Sequence, residues 1–164
     1  MKRILIFGNS GSGKSTMARR LSADLNVPHL DLDQLAWSSP GVRKPLAESV
    51  RVLEEFRTQQ PEWIAEGCYG DLIDFLVPHA TELRFLNPGT ETCVRNCRAR
   101  PWEPAKYASR DEQDAKLDFL VTWVRQYETR TDEYSLTRHR ELFDGFAGSK
   151  HEYTSLVWDP SQPG

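Results

Sequence analysis

The sequence predicts an α/β fold built on a mainly parallel sheet, and three observations lead to this prediction. Strand-like apolar segments alternate along the chain with segments that have a helical apolar period. The first of them, residues 3–7, is continuously apolar, which is typical of a strand buried on both faces. Met17, Leu21 and Leu25 then recur every four residues and mark one face of a helix. We therefore expect three layers, with helices on both faces of the sheet.

Five strands are expected, each bounded by turn residues. They cover residues 3–7, 28–32, 63–65, 82–86 and 153–158. Gly67 closes the third strand, and the turn sequence at 87–89 stops the fourth. Trp63 and Trp158 are expected to be buried in the core.

Helices are expected between the strands. They cover residues 14–25, 46–56, 72–76, 90–98, 117–127 and 136–146. Pro45 suits the first turn of the second helix, and Pro61 follows its end. Residues 101–113 contain two prolines and no apolar period, so we expect an excursion from the core there.

Composition limits the class of protein. A chain of 164 residues favours one domain spanning 1–164. The net charge of −3 argues against a protein that coats DNA or an anionic membrane.

Cys93 and Cys97, one helical turn apart, are expected to pack in the core, because no cysteine has metal-ligand spacing. No apolar run approaches the roughly 20 residues of a membrane span. We expect a cytoplasmic monomer or homodimer that binds neither nucleic acid nor membrane.

A phosphate-binding loop is the most specific motif. Residues 8–16, GNSGSGKST, fit the pattern GxxxxGK(S/T) between a buried strand and an amphipathic helix. Lys14 is expected to reach the β and γ phosphates, and the hydroxyl of Ser15 to ligate Mg²⁺. The expected nucleotide-binding residues are Gly8, Ser10, Gly11, Ser12, Gly13, Lys14, Ser15 and Thr16. The motif predicts binding of ATP or GTP.

Carboxylates follow the second and third predicted strands. Asp31 and Asp33 are two residues apart, which in a strand places them on one side. They would orient Mg²⁺, with Asp31 as the metal residue, and accept a proton from a substrate hydroxyl, with Asp33 as the catalytic residue. The alternative is that either aspartate only caps the next segment. Glu66 and Gly67 would border the acceptor beside the loop if the third strand neighbours the first, whereas a surface salt bridge is the alternative for Glu66.

A basic segment lies between residues 95 and 110, where five basic side chains accompany one acidic side chain. The basic residues are Arg95, Arg98, Arg100, Lys106 and Arg110. Because a planar guanidinium suits a transferring phosphoryl group, Arg98, Arg100 and Arg110 are candidate catalytic residues on a mobile segment. The alternative is a solvated helix face.

Three further residues are candidates for binding an acceptor, in addition to the carboxylates. Trp37 lies in a loop and would stack on an acceptor ring. Arg43, in the turn after the second strand, would clamp the acceptor, and Arg125 would add charge from a later helix. Each arginine has solvent exposure as its alternative.

Together these residues resemble P-loop kinases of the adenylate kinase and shikimate kinase type. More narrowly, the segments GNSGSGKST, LDLDQLAW, EGCYGDL, FLNPG and RPWEPAKYAS resemble an adenylate-kinase-like bacterial group labelled DNA topology modulation proteins. The resemblance implies a P-loop NTPase fold with a five-stranded parallel sheet in the order 2-3-1-4-5, an acceptor-binding region at about 34–60 and a lid at about 98–113. The chain departs from the shikimate kinase pattern, because Glu66-Gly67-Cys68 stands where that group has three glycines.

The leading hypothesis is an ATP-dependent and Mg²⁺-dependent kinase that phosphorylates a small acceptor, either a nucleoside monophosphate or a hydroxylated metabolite. One alternative is a nucleotide-binding regulator or DNA-topology-associated protein with weak ATPase activity, although the net charge argues against it. A second alternative is a switch-type P-loop hydrolase, which the short chain and the arginine-rich segment disfavour.

Overall fold

The computed structural model describes residues 1–157, and a five-stranded parallel sheet lies at its centre. The strands are β1 (Arg3–Gly8), β2 (His29–Asp31), β3 (Trp63–Gly67), β4 (Glu82–Leu86) and β5 (Ser149–Tyr153). Their order across the sheet is β2-β3-β1-β4-β5. The predicted order 2-3-1-4-5 is therefore confirmed.

Seven α-helices and one 3₁₀ turn are present in the described part of the chain. They are α1 (Lys14–Leu25), α2 (Asp33–Ala36), α3 (Leu46–Gln59), α4 (Gly70–Leu76), the 3₁₀ turn Val77–His79, α5 (Thr90–Ala99), α6 (Arg110–Arg125) and α7 (Leu136–Gly145). Within residues 1–157, no helix combines the length and apolar composition needed to cross a bilayer.

The helices cover both faces of the sheet, as the continuous apolar composition of β1 predicts. Leu5 and Phe7 belong to the larger buried cluster, together with residues of α4 and α7. Ile4 and Ile6 pack on the opposite face with Met17 of α1. Because neighbouring side chains of a strand point to opposite faces, β1 joins two cores. Trp63 is fully buried, as expected.

The register of the sheet brings three strand ends to one edge. Ile6 of β1 pairs with Glu66 of β3, and Glu66 pairs with Asp31 of β2. The strands are parallel, so their carboxyl ends lie together beside the loop that follows β1. The sheet thus places Glu66 and Asp31 near the start of α1.

The prediction of the fifth strand at residues 153–158 was wrong. The strand is Ser149–Tyr153, and within the described residues it pairs only with β4 at the edge of the sheet. An edge strand is partly exposed, so its sequence SKHEY carries no apolar run for a sequence pattern to detect. Trp158, expected in the core, lies outside the described residues.

The segment between α2 and α3 was expected as a turn, but it forms a short antiparallel hairpin. Its strands are Trp37–Ser39 and Val42–Arg43. Gly41 has a φ of +77° at the turn, with nothing within 4 Å of the position a Cβ would take. The hairpin carries two predicted acceptor residues, Trp37 and Arg43.

The excursion predicted at residues 101–113 is shorter than expected. Residues 100–109 contain no helix or strand, and α6 begins at Arg110 rather than near 117. The hydroxyl of Ser109 caps α6 by accepting a hydrogen bond from the backbone N–H of Glu112 at 3.1 Å. We call residues 100–109 the connecting segment.

Helices α5 and α6 are joined by a small apolar cluster of their own. Cys93 and Cys97 are buried free thiols that pack with Val121 and Val124. The predicted packing role of the two cysteines is confirmed, and this cluster anchors both ends of the connecting segment.

Candidate active site

The loop of residues 8–16 joins β1 to α1, and its glycines make it compact. Gly11 has a φ of +82°, and a Cβ added there would lie 2.3 Å from the carbonyl oxygen of Cys93. Gly13 has a φ of +96° at the N-cap of α1. Both conformations favour glycine, and their backbone N–H groups precede the positive end of the helix.

Side chains from α5 and the loop itself hold this conformation. The amide of Asn96 donates to the carbonyl of Gly11 at 2.7 Å, and the buried amide of Asn9 donates to that of Val124 at 3.1 Å. Lys14 donates from Nζ to the carbonyl of Asn9 at 2.6 Å. The oxygen of Ser12 is buried without a hydrogen-bond partner among residues 1–157. These hydrogen bonds hold the loop against α5 and the end of α6.

Glu66 is the buried carboxylate of the site, with 2% of its surface exposed. Its Oε1 accepts a hydrogen bond from the hydroxyl of Ser15 at 2.7 Å and lies 3.7 Å from Nε2 of His29. Burial alone raises the pKa of a carboxylate, but the interactions with His29, Lys14 and Ser15 outweigh burial and lower the pKa of Glu66. Glu66 is therefore ionised at neutral pH.

Asp31 stands beside Glu66 on the neighbouring strand. Burial and the charge of Glu66 raise the pKa of Asp31 above the ordinary aspartate value, although its Oδ1 accepts a hydrogen bond from the backbone N–H of Asp33 at 2.9 Å. Two carboxylates and the hydroxyl of Ser15 therefore lie together at the start of α1. Hard oxygen donors of this kind are the ligands that Mg²⁺ prefers.

A cavity of about 490 Å³ opens over these groups. We call it the loop cavity; its lining includes Gly11, Gly13, Lys14, Ser15, Thr16, Asp31 and Glu66. Gly8, which was predicted to bind nucleotide, does not line this cavity. It is the last residue of β1, and a Cβ there would lie 2.2 Å from the carbonyl oxygen of Leu86. The loop cavity thus brings the motif and the two strand-end carboxylates together.

A second cavity of about 320 Å³ lies beside the first. We call it the aromatic cavity; its lining includes Asp33, Trp37, Tyr69, Tyr107, Phe119, Trp123 and Tyr134. Ser10 and Cys68 also line it, and burial raises the pKa of the Cys68 thiol to about 11. Three residues of the connecting segment, Arg100, Glu103 and Lys106, line both cavities.

Asp33 is held at the wall of the aromatic cavity through one of its two oxygens. The phenol of Tyr69 donates to Oδ1 of Asp33, and the indole of Trp37 donates to the same oxygen at 3.2 Å. Burial, together with nearby Cys68 and Asp33, raises the pKa of Tyr69, so its phenol stays protonated as a donor. The other oxygen, Oδ2, lies 3.7 Å from Nζ of Lys106. Asp33 thus joins Tyr69 and Trp37 on one side and the connecting segment on the other.

The prediction that Asp31 and Asp33 lie on one side of a strand was wrong. β2 ends at Asp31, and Asp33 begins the short helix α2. The backbone turns at this point, so Asp31 lines the loop cavity and Asp33 lines the aromatic cavity. The two carboxylates are separated into two environments.

The predicted arginines are distributed unequally. Arg100 lines both cavities, and its Nη2 donates to the hydroxyl of Ser10 at 3.3 Å. Arg98 is exposed near the end of α5, Arg110 pairs with Asp114, and Arg125 pairs with Glu91 on the surface. The structure therefore brings only Arg100 of these four to the cavities.

The rings of Trp37, Tyr69, Tyr134 and Trp123 form one wall of the aromatic cavity, which we call the aromatic wall. Arg43 lies behind this wall and does not line either cavity. Its guanidinium pairs with Asp71 at 3.1 Å, donates to the phenol of Tyr134 and stacks over Tyr69 at 5.0 Å. Gly67 is buried where a Cβ would lie 2.9 Å from Cβ of Leu32, so it allows Leu32, the residue before α2, to pack closely on β3. Both residues support the site from outside it.

Sequence reasoning missed several lining residues. Tyr69 follows Glu66-Gly67 by two positions, and Lys106 was seen only as one charge of a basic run. Phe119 and Trp123 are four residues apart, which marks a second stripe on α6 beside the core positions. A search for that second stripe would have indicated the two residues that α6 contributes to the aromatic cavity, Phe119 and Trp123.

One curated protein is similar to part of this chain. No family model matches the chain. Uncharacterized protein YqaC of Bacillus subtilis (strain 168) is 34% identical over 97 residues, which span 52% of this chain and about half (54%) of YqaC. The narrower resemblance to DNA topology modulation proteins stays a prediction.

Two solved structures are similar over most of the chain. A shikimate kinase from Bacteroides thetaiotaomicron has a TM-score of 0.55 and 21% identity, covering 97% of this chain and 90% of that chain. A gluconokinase from Sinorhizobium meliloti 1021 has a TM-score of 0.51 and 15% identity, covering 96% and 84%. The chain has the three-layer α/β fold of P-loop kinases.

Gly11→Ala will destabilise the protein more than Gly41→Ala. Both glycines have positive φ, which costs a residue with a Cβ about 1–2 kcal/mol, but only Gly11 faces a backbone oxygen at 2.3 Å. Thermal denaturation of the two variants measures the difference. Equal melting temperatures would show that α5 can move away from an added Cβ at Gly11 without loss of stability.

Asp31→Asn will raise the melting temperature at pH 7. A raised folded-state pKa means that the folded protein binds the proton more tightly than the unfolded chain, so the ionised carboxylate costs stability at neutral pH. The gain will shrink as the pH falls toward the ordinary aspartate pKa of about 3.9. Asp24→Asn, at an exposed position of α1, is the control. A lower melting temperature for Asp31→Asn at pH 7 would contradict this assignment.

Proposed function

We propose that this chain, which has the P-loop kinase fold, is an ATP-dependent and Mg²⁺-dependent phosphotransferase acting on a small acceptor. One observation carries the proposal: a cavity lined by the phosphate-loop motif meets a second cavity that contains a hydrogen-bonded carboxylate. Transfer between two ligands requires two adjacent compartments, whereas simple hydrolysis requires only one.

The loop cavity is the proposed nucleotide site. The backbone of Gly11 and Gly13 lines this cavity just before α1 begins, where N–H groups can approach phosphate oxygens. Lys14 would exchange its hydrogen bond to the carbonyl of Asn9 for one to the phosphates. These features fit an anionic polyphosphate.

The hydroxyl of Ser15, with Asp31 and Glu66 behind it, fits Mg²⁺. Glu66 accepts a hydrogen bond from the Ser15 hydroxyl, which orients the oxygen lone pairs of Ser15 away from Glu66. Asp31 supplies a second carboxylate. When bound, Mg²⁺-ATP supplies the γ-phosphoryl group and the cation that neutralises its charge.

Asp33 is the proposed catalytic residue on the acceptor side. Tyr69 and Trp37 hold Oδ1 in place and leave Oδ2 directed toward Lys106. Oδ2 would take the proton of an attacking hydroxyl. Charged neighbours Asp33 and Glu103 outweigh burial and raise the pKa of Lys106, so this lysine stays cationic beside the transferring group.

The connecting segment is the proposed lid. Arg100, Glu103 and Lys106 border both cavities, so movement of this segment would open or close both at once. Arg100 would contact the charge that develops on the phosphoryl group during transfer.

Lys14→Ala will weaken Mg²⁺-ATP binding by at least about tenfold, because charged hydrogen bonds of about 1.5–3 kcal/mol are lost, and will abolish transfer. Calorimetric titration measures the affinity, and circular dichroism checks the fold. Lys2→Ala, at an exposed position just before β1 and at the opposite end of that strand from the loop, is the control. Wild-type affinity in a folded Lys14→Ala protein would remove the loop from the proposal.

Asp33→Asn will lower kcat by about 10²- to 10⁴-fold, as expected for loss of a general base, and will leave ATP affinity unchanged. The amide oxygen can still accept the hydrogen bonds of Tyr69 and Trp37, so the site keeps its shape. Asp118→Asn, exposed on α6, is the matched control. Normal turnover in Asp33→Asn would assign Asp33 a purely structural role.

Arg100→Ala will reduce turnover far more than it weakens ATP binding, whereas Arg98→Ala and Arg110→Ala will reduce neither, since only Arg100 borders the cavities. Hydrogen exchange of residues 101–109, with and without a nonhydrolysable Mg²⁺-ATP analogue, reports closure of the segment. Equal protection in both states and normal turnover in Arg100→Ala would show that the segment is a static surface.

A further inference from the structure

We infer that the acceptor is a planar aromatic or heteroaromatic alcohol that carries no phosphate, such as a nucleoside. This inference rests on the proposed function and names its substrate class. It follows from the composition of the aromatic cavity, its charge balance and the position of Asp33.

The wall of the aromatic cavity is a continuous series of rings. Trp37 meets Tyr69 at a centroid distance of 6.2 Å and an angle of 72°, Tyr69 meets Tyr134 at 5.6 Å and 74°, and Trp123 meets Tyr134 at 5.5 Å and 65°. Such edge-to-face contacts fix the plane of each ring. The wall is therefore preorganised for a flat ligand, which stacks on aromatic rings with little loss of side-chain entropy.

Two arginines behind the wall support these rings. Arg130 stacks over Trp123 at 4.3 Å, and Arg43 lies 5.0 Å from the centre of Tyr69. Both guanidinium groups are already paired, with Asp132 at 2.9 Å and with Asp71 at 3.1 Å. They stiffen the wall and do not line the cavity.

The charged residues of the cavity lining cancel. Arg100 and Lys106 are the cations that line it, and Asp33 and Glu103 are the anions. Lys106 lies 3.7 Å from Asp33 and 3.5 Å from Glu103, so its charge is already matched. Arg100 has no carboxylate partner among residues 1–157, but the proposed function assigns it to the transferring phosphoryl group. A dianionic monophosphate would need a further unpaired cation, and the described lining offers none besides Arg100.

Asp33 argues for a hydroxyl as the attacking group. A phosphate acceptor is already ionised at neutral pH, because its second pKa is about 6, and it would be repelled by a carboxylate. A hydroxyl must lose its proton, and Oδ2 of Asp33 is placed to take it. The acceptor oxygen bonds to the γ phosphorus as the bond to the β-phosphate oxygen breaks, the electron pair leaves with ADP, and the proton passes to Asp33 and then to water.

The mouth of the cavity favours an aromatic ligand over a polyhydroxylated one. Phe119 lines the cavity and is 76% exposed, so a bound ring would cover apolar surface that is now in water. A polyol would instead bury several hydroxyl groups against six aromatic residues, which costs free energy for each unpaired group. The volume of about 320 Å³ suits a small ring system with a short substituent.

A binding and transfer panel tests the inference. The panel contains adenosine, guanosine, cytidine, thymidine and pyridoxine as planar alcohols, the four nucleoside 5′-monophosphates, and shikimate and gluconate as nonaromatic hydroxy acids. Calorimetry in the presence of Mg²⁺ and a nonhydrolysable ATP analogue measures binding, and ³¹P NMR with ATP measures transfer. We expect at least one planar alcohol to bind saturably and to be phosphorylated. Binding and phosphorylation of pyridoxine, but of no nucleoside, would show that the cavity recognises a heteroaromatic alcohol other than a nucleoside.

The outcomes separate this inference from the proposed function. Transfer only to monophosphates or hydroxy acids would overturn the inference and support the proposed function. Binding of planar alcohols without transfer to any compound would support recognition by the aromatic cavity and contradict the proposed function. Absence of saturable binding by all planar alcohols would overturn the inference.

Phe119→Ala provides the matched structural test. Loss of one stacking partner is worth about 1–3 kcal/mol, so the Kd of the planar ligand should rise roughly 5- to 150-fold, with ATP affinity unchanged. Thr122→Ala, a neighbouring exposed position of α6 outside the cavity lining, should change neither value. Equal Kd values for Phe119→Ala and wild type would show that the ligand does not stack at the cavity mouth.

Discussion

The hydrogen bond between the hydroxyl of Ser15 and the buried carboxylate of Glu66 constrains the rest of the site. An ionised carboxylate at the centre of a sheet is costly unless it is paired, and Glu66 meets this cost through Ser15, His29 and the nearby charge of Lys14. Because Glu66 pairs in register with Ile6 and Asp31, the same contact ties the first turn of α1 to three adjacent strands.

The site beside this anchor is divided into two compartments. The chain turns immediately after Asp31, which leaves Asp31 in the loop cavity and carries Asp33 into the aromatic cavity. The two acidic groups therefore have different environments: the pKa of Asp31 is raised by burial and by Glu66, whereas Asp33 is held through Oδ1 by Tyr69 and Trp37. The connecting segment borders both compartments, so one element would reach both proposed ligands.

The parts of this arrangement that could be predicted from sequence are those encoded locally. The β1–loop–α1 unit follows from one contiguous motif, and the sheet order follows from the family resemblance. The edge strand Ser149–Tyr153 escaped prediction because its exposed position demands no apolar pattern. The choice of Arg100 over Arg98 or Arg110, and the assembly of Trp37, Tyr69, Trp123 and Tyr134 into one wall, depend on helices and strands distant in sequence. No local period records those contacts.

The dependence of ATP binding on Mg²⁺ in wild type and in Glu66→Gln tests the central role of Glu66 most directly. A glutamine keeps the size and the hydrogen-bonding oxygen of Glu66 but removes its charge. Calorimetric titrations with and without Mg²⁺ should show that the cation strengthens ATP binding in wild type, and that this gain falls by about 10- to 100-fold in Glu66→Gln, as for other groups that orient metal ligands. An equal gain from Mg²⁺ in both folded proteins would contradict the account.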